Sequence, residues 1–262
     1  MIRNLVGAFA LACACLLGFA HEPSVAKDDA KLATMRFEWR MEGPAEECGQ
    51  FCRRWISASG VVAESSARDF EVFARDNDVR GATLVLDSEG GSVLAALALG
   101  RAIRRFDMTT TVGKTTVLPP MDGTAPRATL SPKAQCESMC AFILLGGARR
   151  YVPPEARVLV HQIWLGNKSK RALESSYSAE ELRLVQRDIG KLARYTVEMG
   201  GGIELLETAL RVPPWEPMYV LSREELRRMQ VVTIERLFDE GVPTASVPAG
   251  KVDSLATTAQ AQ

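Results

Sequence analysis

A serine and a histidine in this chain have the residue types and the setting for nucleophilic acyl chemistry. Ser138 sits in CESMCAFILL at 136–145, where small and apolar residues predict a buried helix that opens at the serine. His161, the only histidine beyond residue 26, ends the apolar run RVLVH at 157–161, which predicts a strand. A serine hydroxyl is a weak nucleophile. It needs an adjacent base, and N–H donors aimed at the oxyanion that forms when a carbonyl is attacked. The start of a helix suits this, because its first amides are unpaired and its dipole favours negative charge. Met139 is therefore one candidate oxyanion donor. Gly90 and Gly91 are the others, since a Gly-Gly turn presents amides with no side chain in the way. Gly-Gly-Ser is not a phosphate loop here, because no Gly-Lys-Ser/Thr follows.

These residues need a frame. ATLVL at 82–86 is a short apolar run of the kind that forms a buried parallel strand. Gly90-Gly91-Ser92 then opens a helix over 93–106, and MTTTVG at 108–113 gives the next strand, so the unit is a parallel crossover. Before it, 54–62 alternates as a strand and 65–76 has helical spacing at Phe70 and Phe73. Residues 114–135 carry Pro, Thr and Lys without apolar period and are expected to be a long loop beside the site. Two strands are expected at 150–152 and 157–164, and a polar loop at 166–178. An amphipathic helix follows over 179–199, with Leu182, Val185, Ile189, Leu192 and Tyr195 on one stripe. Short elements complete the reading: helices at 203–211 and 223–230, strands at 218–221 and 231–238.

Composition bounds the partners. The 32 Lys+Arg balance 32 Asp+Glu, so no global field draws the chain to nucleic acid or to an anionic membrane. Arg3 followed by an uncharged apolar run over 5–20 predicts a signal peptide spanning 1–26, with cleavage after Ala26 or Ala20. The run is shorter than the roughly 20 residues of a membrane-spanning helix, so no stable membrane span is expected. Residues 27–47 are expected to be a loosely packed arm, 48–240 a single domain, and 241–262 a disordered tail. The mature chain would be periplasmic or secreted, where cysteines oxidise. Cys48, Cys52, Cys136 and Cys140 then predict disulfides, with a four-thiolate zinc site as the rival reading. A bridge between the two pairs is expected to tie the first strand region to the helix of Ser138. A bridge within 136–140 would instead fix or distort the serine's turn.

LDSEGGSV at 86–93, ESMCAF at 137–142 and RVLVHQ at 157–162 together resemble three successive motifs of the Clp protease proteolytic subunit, in its order and nearly its spacing. The resemblance covers about 56–238, and the leader and cysteines are similar to exported Clp-like bacterial proteins. It implies an α/β fold of ClpP/crotonase-like stacked ββα units with a mostly parallel sheet. It also implies Ser138 as nucleophile, His161 as general base, and Gly90 and Met139 as oxyanion donors. The family's aspartate precedes a Leu-Ser pair; here Leu221-Ser222 has Met218 in the matching place, and Glu216 is the nearest acid. The implied function is an exported serine peptidase acting on peptides or unfolded protein through an acyl-enzyme, without cofactor or metal. A homo-oligomer follows from fold analogy, and no ATPase partner is expected outside the cytoplasm. The alternative is a non-catalytic protein of the same fold that binds a peptide or protein partner; acyl-CoA chemistry is disfavoured by export.

Overall fold

Alternation along short strands decides which side chains meet. In the computed structural model, which describes residues 33–42, 52–119, 127–165, 174 and 176–238, strand β3 (Thr83–Asp87) buries Leu84, Val85 and Leu86 on two faces. A strand apolar on both faces needs cover on both sides. Its parallel neighbours are β2 (Arg54–Ser59) and β4 (Thr109–Val112). Beyond β4 lies β8 (Arg149–Tyr151), also parallel. At the other edge is β1 (Arg36–Met41), antiparallel to β2, which gives the order β1-β2-β3-β4-β8.

One face of this sheet, with Ile56, Ala58, Leu84 and Leu86, packs into the main core with α1 (Ser66–Asp76), α2 (Val93–Arg105) and α3 (Met139–Leu145). The opposite face presents Trp55 and Val85 to a hairpin of β5 (Lys114–Val117) and β6 (Ala128–Ser131), through Ala128 and Leu130. Trp55 Nε1 donates to Thr115 Oγ1 at 2.9 Å and fixes the hairpin to the sheet. Residues expected to form a long loop at 114–135 thus include a paired hairpin, in which Ala128 and Leu130 of β6 alternate with Thr129 and Ser131 while Thr115 of β5 faces the sheet.

A second, three-stranded sheet has the order β10-β9-β7, with β7 (Gln135–Glu137) parallel to β9 (Arg157–Val160) and β10 (Tyr219–Val220) antiparallel to it. The two sheets meet at a bridge between Ser88 and Cys136. The chain is therefore mixed α/β, and all described residues fall within one compact unit. The remaining helices are α4 (Ala179–Glu198), α5 (Glu204–Leu210) and α6 (Arg223–Arg228). Both α4 and α6 open with a capping box, Ser178 with Glu181 and Ser222 with Glu225.

Two further expectations are corrected. Residues 36–41, placed in a loose arm, form a fully paired edge strand whose Phe37 ring meets Phe70 edge-on at 5.1 Å. No strand forms over 231–238. There the N–H groups of Thr233 and Ile234 converge on one acceptor, Arg150 O, at 2.9 and 3.2 Å, so the segment caps the sheet rather than extending a ladder. The expected leader, tail and Cys48 lie outside the described residues. Among the described residues no helix is long and apolar enough to cross a membrane.

Candidate active site

Between β7 and α3 the chain turns at Ser138 with φ +52° and ψ −118°. A non-glycine residue rarely adopts a positive φ, because its Cβ crowds the backbone. Here neighbouring contacts hold it there. Ser138 N–H donates to Leu159 O at 2.8 Å, Glu137 N–H to Ser88 O at 2.9 Å, and Ala141 N–H to Ser138 O at 3.1 Å. The seven residues of α3 are all buried, which anchors the far side of the turn. Ser138's side chain makes no capping bond to its own helix, and the residue is half-buried. A sharp strand-to-helix elbow with a free hydroxyl is the geometry that presents a nucleophilic serine.

The Gly-Gly turn packs directly on this elbow. A Cβ on Gly90 (φ +83°) would lie 2.7 Å from Glu137 O, 2.8 Å from Met139 N and 2.9 Å from Ser138 Cβ. Only glycine fits there. Gly90 N–H donates to Ser88 Oγ at 3.1 Å, and Ser88 Oγ donates to Gly60 O at 2.6 Å. The Gly90 amide, expected as an oxyanion donor, thus already has a partner, and close packing on the elbow is the part its geometry shows. The amides of Gly91 and Met139 make no hydrogen bond among the described residues and are free to donate. Gly91 (φ +141°) is held by Val62, whose N–H donates to Gly90 O while its carbonyl accepts from Ser92 N–H, both at 2.7 Å. Ser88, unnoticed in the sequence, aligns the turn; its place two residues before Gly90 was the available clue.

His161 follows β9 directly. The parallel register pairs Glu137 with Leu159, so Ser138 and His161 lie one and two residues beyond the last pair. Val158 and Val160 are buried in the main core, and alternation sends His161 to the other face with Leu159. His161 is half-buried, and burial holds its pKa below the usual histidine value, so the ring is neutral at pH 7 and can accept a proton. No hydrogen bond or ion pair to the imidazole is present among the described residues. On the other side of β9, Tyr219 pairs with Val160 and Val220 with Leu159; one step further sets Met218 opposite His161. Glu216 is exposed, its N–H donates to Pro213 O at 3.1 Å, and nothing links its carboxylate to His161.

Acidic groups gather near the elbow. Burial pushes the Glu137 carboxyl up, Glu89 pushes it further, and Arg157 opposes them. Asp87 is likewise raised, first by burial and then by Glu89, against Lys114. A cavity of about 200 Å³ adjoins the segment after His161, walled by Gln162, Ile163, Trp164, Val185 and Ile189. Trp164 meets Tyr177 and Trp215 edge-on at 5.2 and 6.1 Å, and its buried Nε1–H makes no hydrogen bond among the described residues. A larger cavity, about 520 Å³, lies along β1 and α1 with none of the expected site residues in its wall.

The cysteines pair differently from expectation. Cys136 is bonded to Cys140, with Cα atoms 5.2 Å apart, so neither can bridge to Cys48 or Cys52. The elbow folds β7 back on the first turn of α3, and this brings the two sulfurs together locally. Cys52 is disulfide-bonded as well. The zinc alternative loses two of its four thiolates to the 136–140 bridge, and no metal-binding group of His, Cys, Asp and Glu occurs among the described residues. No known protein-family model matches the chain.

Proposed function

We propose that this chain is an exported serine peptidase with a ClpP/crotonase-like fold, in which Ser138 forms an acyl-enzyme and His161 acts as general base. The observation that carries the reading is the Ser138 elbow, with φ +52° and an uncommitted side chain, hydrogen-bonded to the strand that leads into His161. The order β2-α1-β3-α2-β4, followed by a second sheet that joins the first at Ser88, supports the fold assignment. Export rests on the leader at 1–26.

In this reading Ser138 Oγ attacks the peptide carbonyl carbon while His161 takes the hydroxyl proton. The oxyanion accepts hydrogen bonds from Gly91 N–H and Met139 N–H. Collapse expels the amine, which receives the proton from His161, and water then hydrolyses the ester by the same base. The cavity beside Trp164 suits an apolar side chain of a peptide or unfolded protein. No cofactor enters any step.

The test is labelling of the mature protein by a fluorophosphonate probe, which reports activated serines. Labelling that requires both Ser138 and His161 is expected; equal labelling of Ser138→Ala would overturn the reading. One observation favours a second reading, a peptide-binding protein of the same fold: Met218 lies one step beyond the Tyr219–Val160 pair, opposite His161, and among the described residues no acid anchors the imidazole.

A further inference from the structure

We propose that the Cys136–Cys140 disulfide is a positioning element for Ser138, a covalent clamp that holds the elbow in its left-handed turn. The proposal rests on the peptidase reading and names a part of the same site. Cys136 lies in β7 and Cys140 in the first turn of α3, so the bridge spans the elbow with Ser138 at its centre. Ser138 carries the positive φ, a conformation to which a serine does not return unaided once its neighbours loosen. Those neighbours are short, since β7 has three residues and α3 seven. Opening the turn would release Ser138 N–H from Leu159 O and swing the Met139 amide away from the oxyanion position.

Two properties separate this clamp from a stability device and from a thiol switch. The bridge closes a sequence separation of 4. Cross-links across short loops restrict the unfolded chain least, so little of the fold's stability rests on it. Both half-cystines are 0% exposed, so a reductant has no access to the sulfurs in the folded state. The consequence of the bridge is therefore local and permanent: it sets where the hydroxyl points.

The test compares fluorophosphonate labelling of the oxidised wild type, Ser138→Ala, Cys52→Ala and the double variant Cys136→Ala/Cys140→Ala, each normalised to folded protein. Saturation with probe separates binding from the bond-forming step. A displaced nucleophile loses roughly tenfold to a hundredfold in that step. The expected result is that loss in the double variant, with probe affinity, the pH midpoint set by His161, and the wild-type-like rate of Cys52→Ala all retained. Refolding the wild type in dithiothreitol gives a second arm. Each sulfur gains one electron and one proton while the reagent leaves as its cyclic disulfide, and reoxidation should restore the rate. A double variant that labels at the wild-type rate overturns the clamp. So does failure of both the double variant and the reduced protein to fold, because the bridge would then belong to the fold. No labelling of the oxidised wild type would instead overturn the peptidase reading itself.

Discussion

Replacing Gly90 by alanine tests whether the turn and the nucleophile are one packed unit. The new Cβ meets Glu137 O at 2.7 Å, Met139 N at 2.8 Å and Ser138 Cβ at 2.9 Å, so relief in one direction tightens another. Two of these neighbours are backbone atoms and cannot rotate away. The elbow must therefore yield by several tenths of an ångström. Added to this is the backbone itself, since φ +83° disfavours a residue with a Cβ by about 1–2 kcal/mol. Overpacking of this kind costs about 1–3 kcal/mol, so the variant should lose about 2–5 kcal/mol of stability. For a chain of this size that lowers Tm by roughly 5–15 °C. A shift of this extent at a reacting atom should slow labelling of Ser138 roughly tenfold or more. Gly81→Ala is the matched control: its φ is +68°, but nothing lies within 4 Å of the added Cβ. It should lose only the backbone share, about 1 kcal/mol, and label normally. Calorimetry and labelling rates, measured on both variants, decide the matter. A Gly90→Ala protein with the melting temperature and labelling rate of Gly81→Ala would refute the packed-unit argument.

The labelling rate of the wild type should rise with pH and level off by neutrality, with a midpoint below the ordinary histidine value of 6.5, because burial favours the neutral ring. A midpoint above 6.5 would contradict the placement of His161. The same depression makes folding stability fully present above 6.5 and lost as pH falls through the folded pKa, which urea titrations over that window can read. Met218→Asp should accelerate labelling about tenfold or more and raise the midpoint, since an orienting aspartate is worth up to ~10⁴ in serine triads; an unchanged rate and midpoint would show that Met218 does not face the imidazole. Arg150→Leu should cost about 1–3 kcal/mol, seen as a lowered Tm, because Gly200 O and Gln230 O lose the guanidinium donor while Gly147 O and Met199 O are left with Arg104 alone.

Periodicity made the central frame legible. The apolar run at β3, the Gly-Gly turn, α2 and α4 all emerge near their expected limits, because each carries a pattern with one dominant period. Edge elements were harder to read. In β1 the charged residues Arg36, Glu38 and Arg40 alternate with Phe37, Trp39 and Met41, yet flanking polar sequence hides so short a signal. The run at 231–238 is apolar enough for a strand, but strand formation needs successive acceptors, and Arg150 O takes two donors at once. In the candidate site, the expected places of Ser138 at a helix start and His161 at the end of a strand agree with the structure. Which glycine amide is free was not legible, since that depends on Ser88 Oγ, a contact no spacing rule specifies. The apolar stripe on α4 runs its whole length in the sequence, yet burial is confined to its C-terminal half at Leu192, Tyr195 and Thr196, while Leu182 is exposed.

The two halves of the candidate dyad are held very unequally. Helix α3 is fixed at its start by the elbow and the Cys136–Cys140 bridge. At its end two guanidiniums take its last carbonyls: Arg104 donates to Leu145 O at 2.8 Å and Gly146 O at 2.9 Å, and Arg150 to Gly147 O at 3.0 Å. Desolvation lowers the Arg150 pKa to about 10, with Arg104 adding to the shift, so Arg150 stays charged at neutral pH and complements the negative end of the helix dipole. Midway, Tyr195 Oη donates to Phe142 O at 2.9 Å and fills the space that a side chain at Gly100 would take. A short helix pinned at both ends and in the middle cannot slide, so Ser138 is over-determined. His161 is half-buried at the end of its strand, and among the described residues no side chain is hydrogen-bonded to its ring. In the proposed mechanism, orientation of the imidazole is therefore the weaker half, and an acid placed opposite it should change the labelling rate more than any further tightening around the serine.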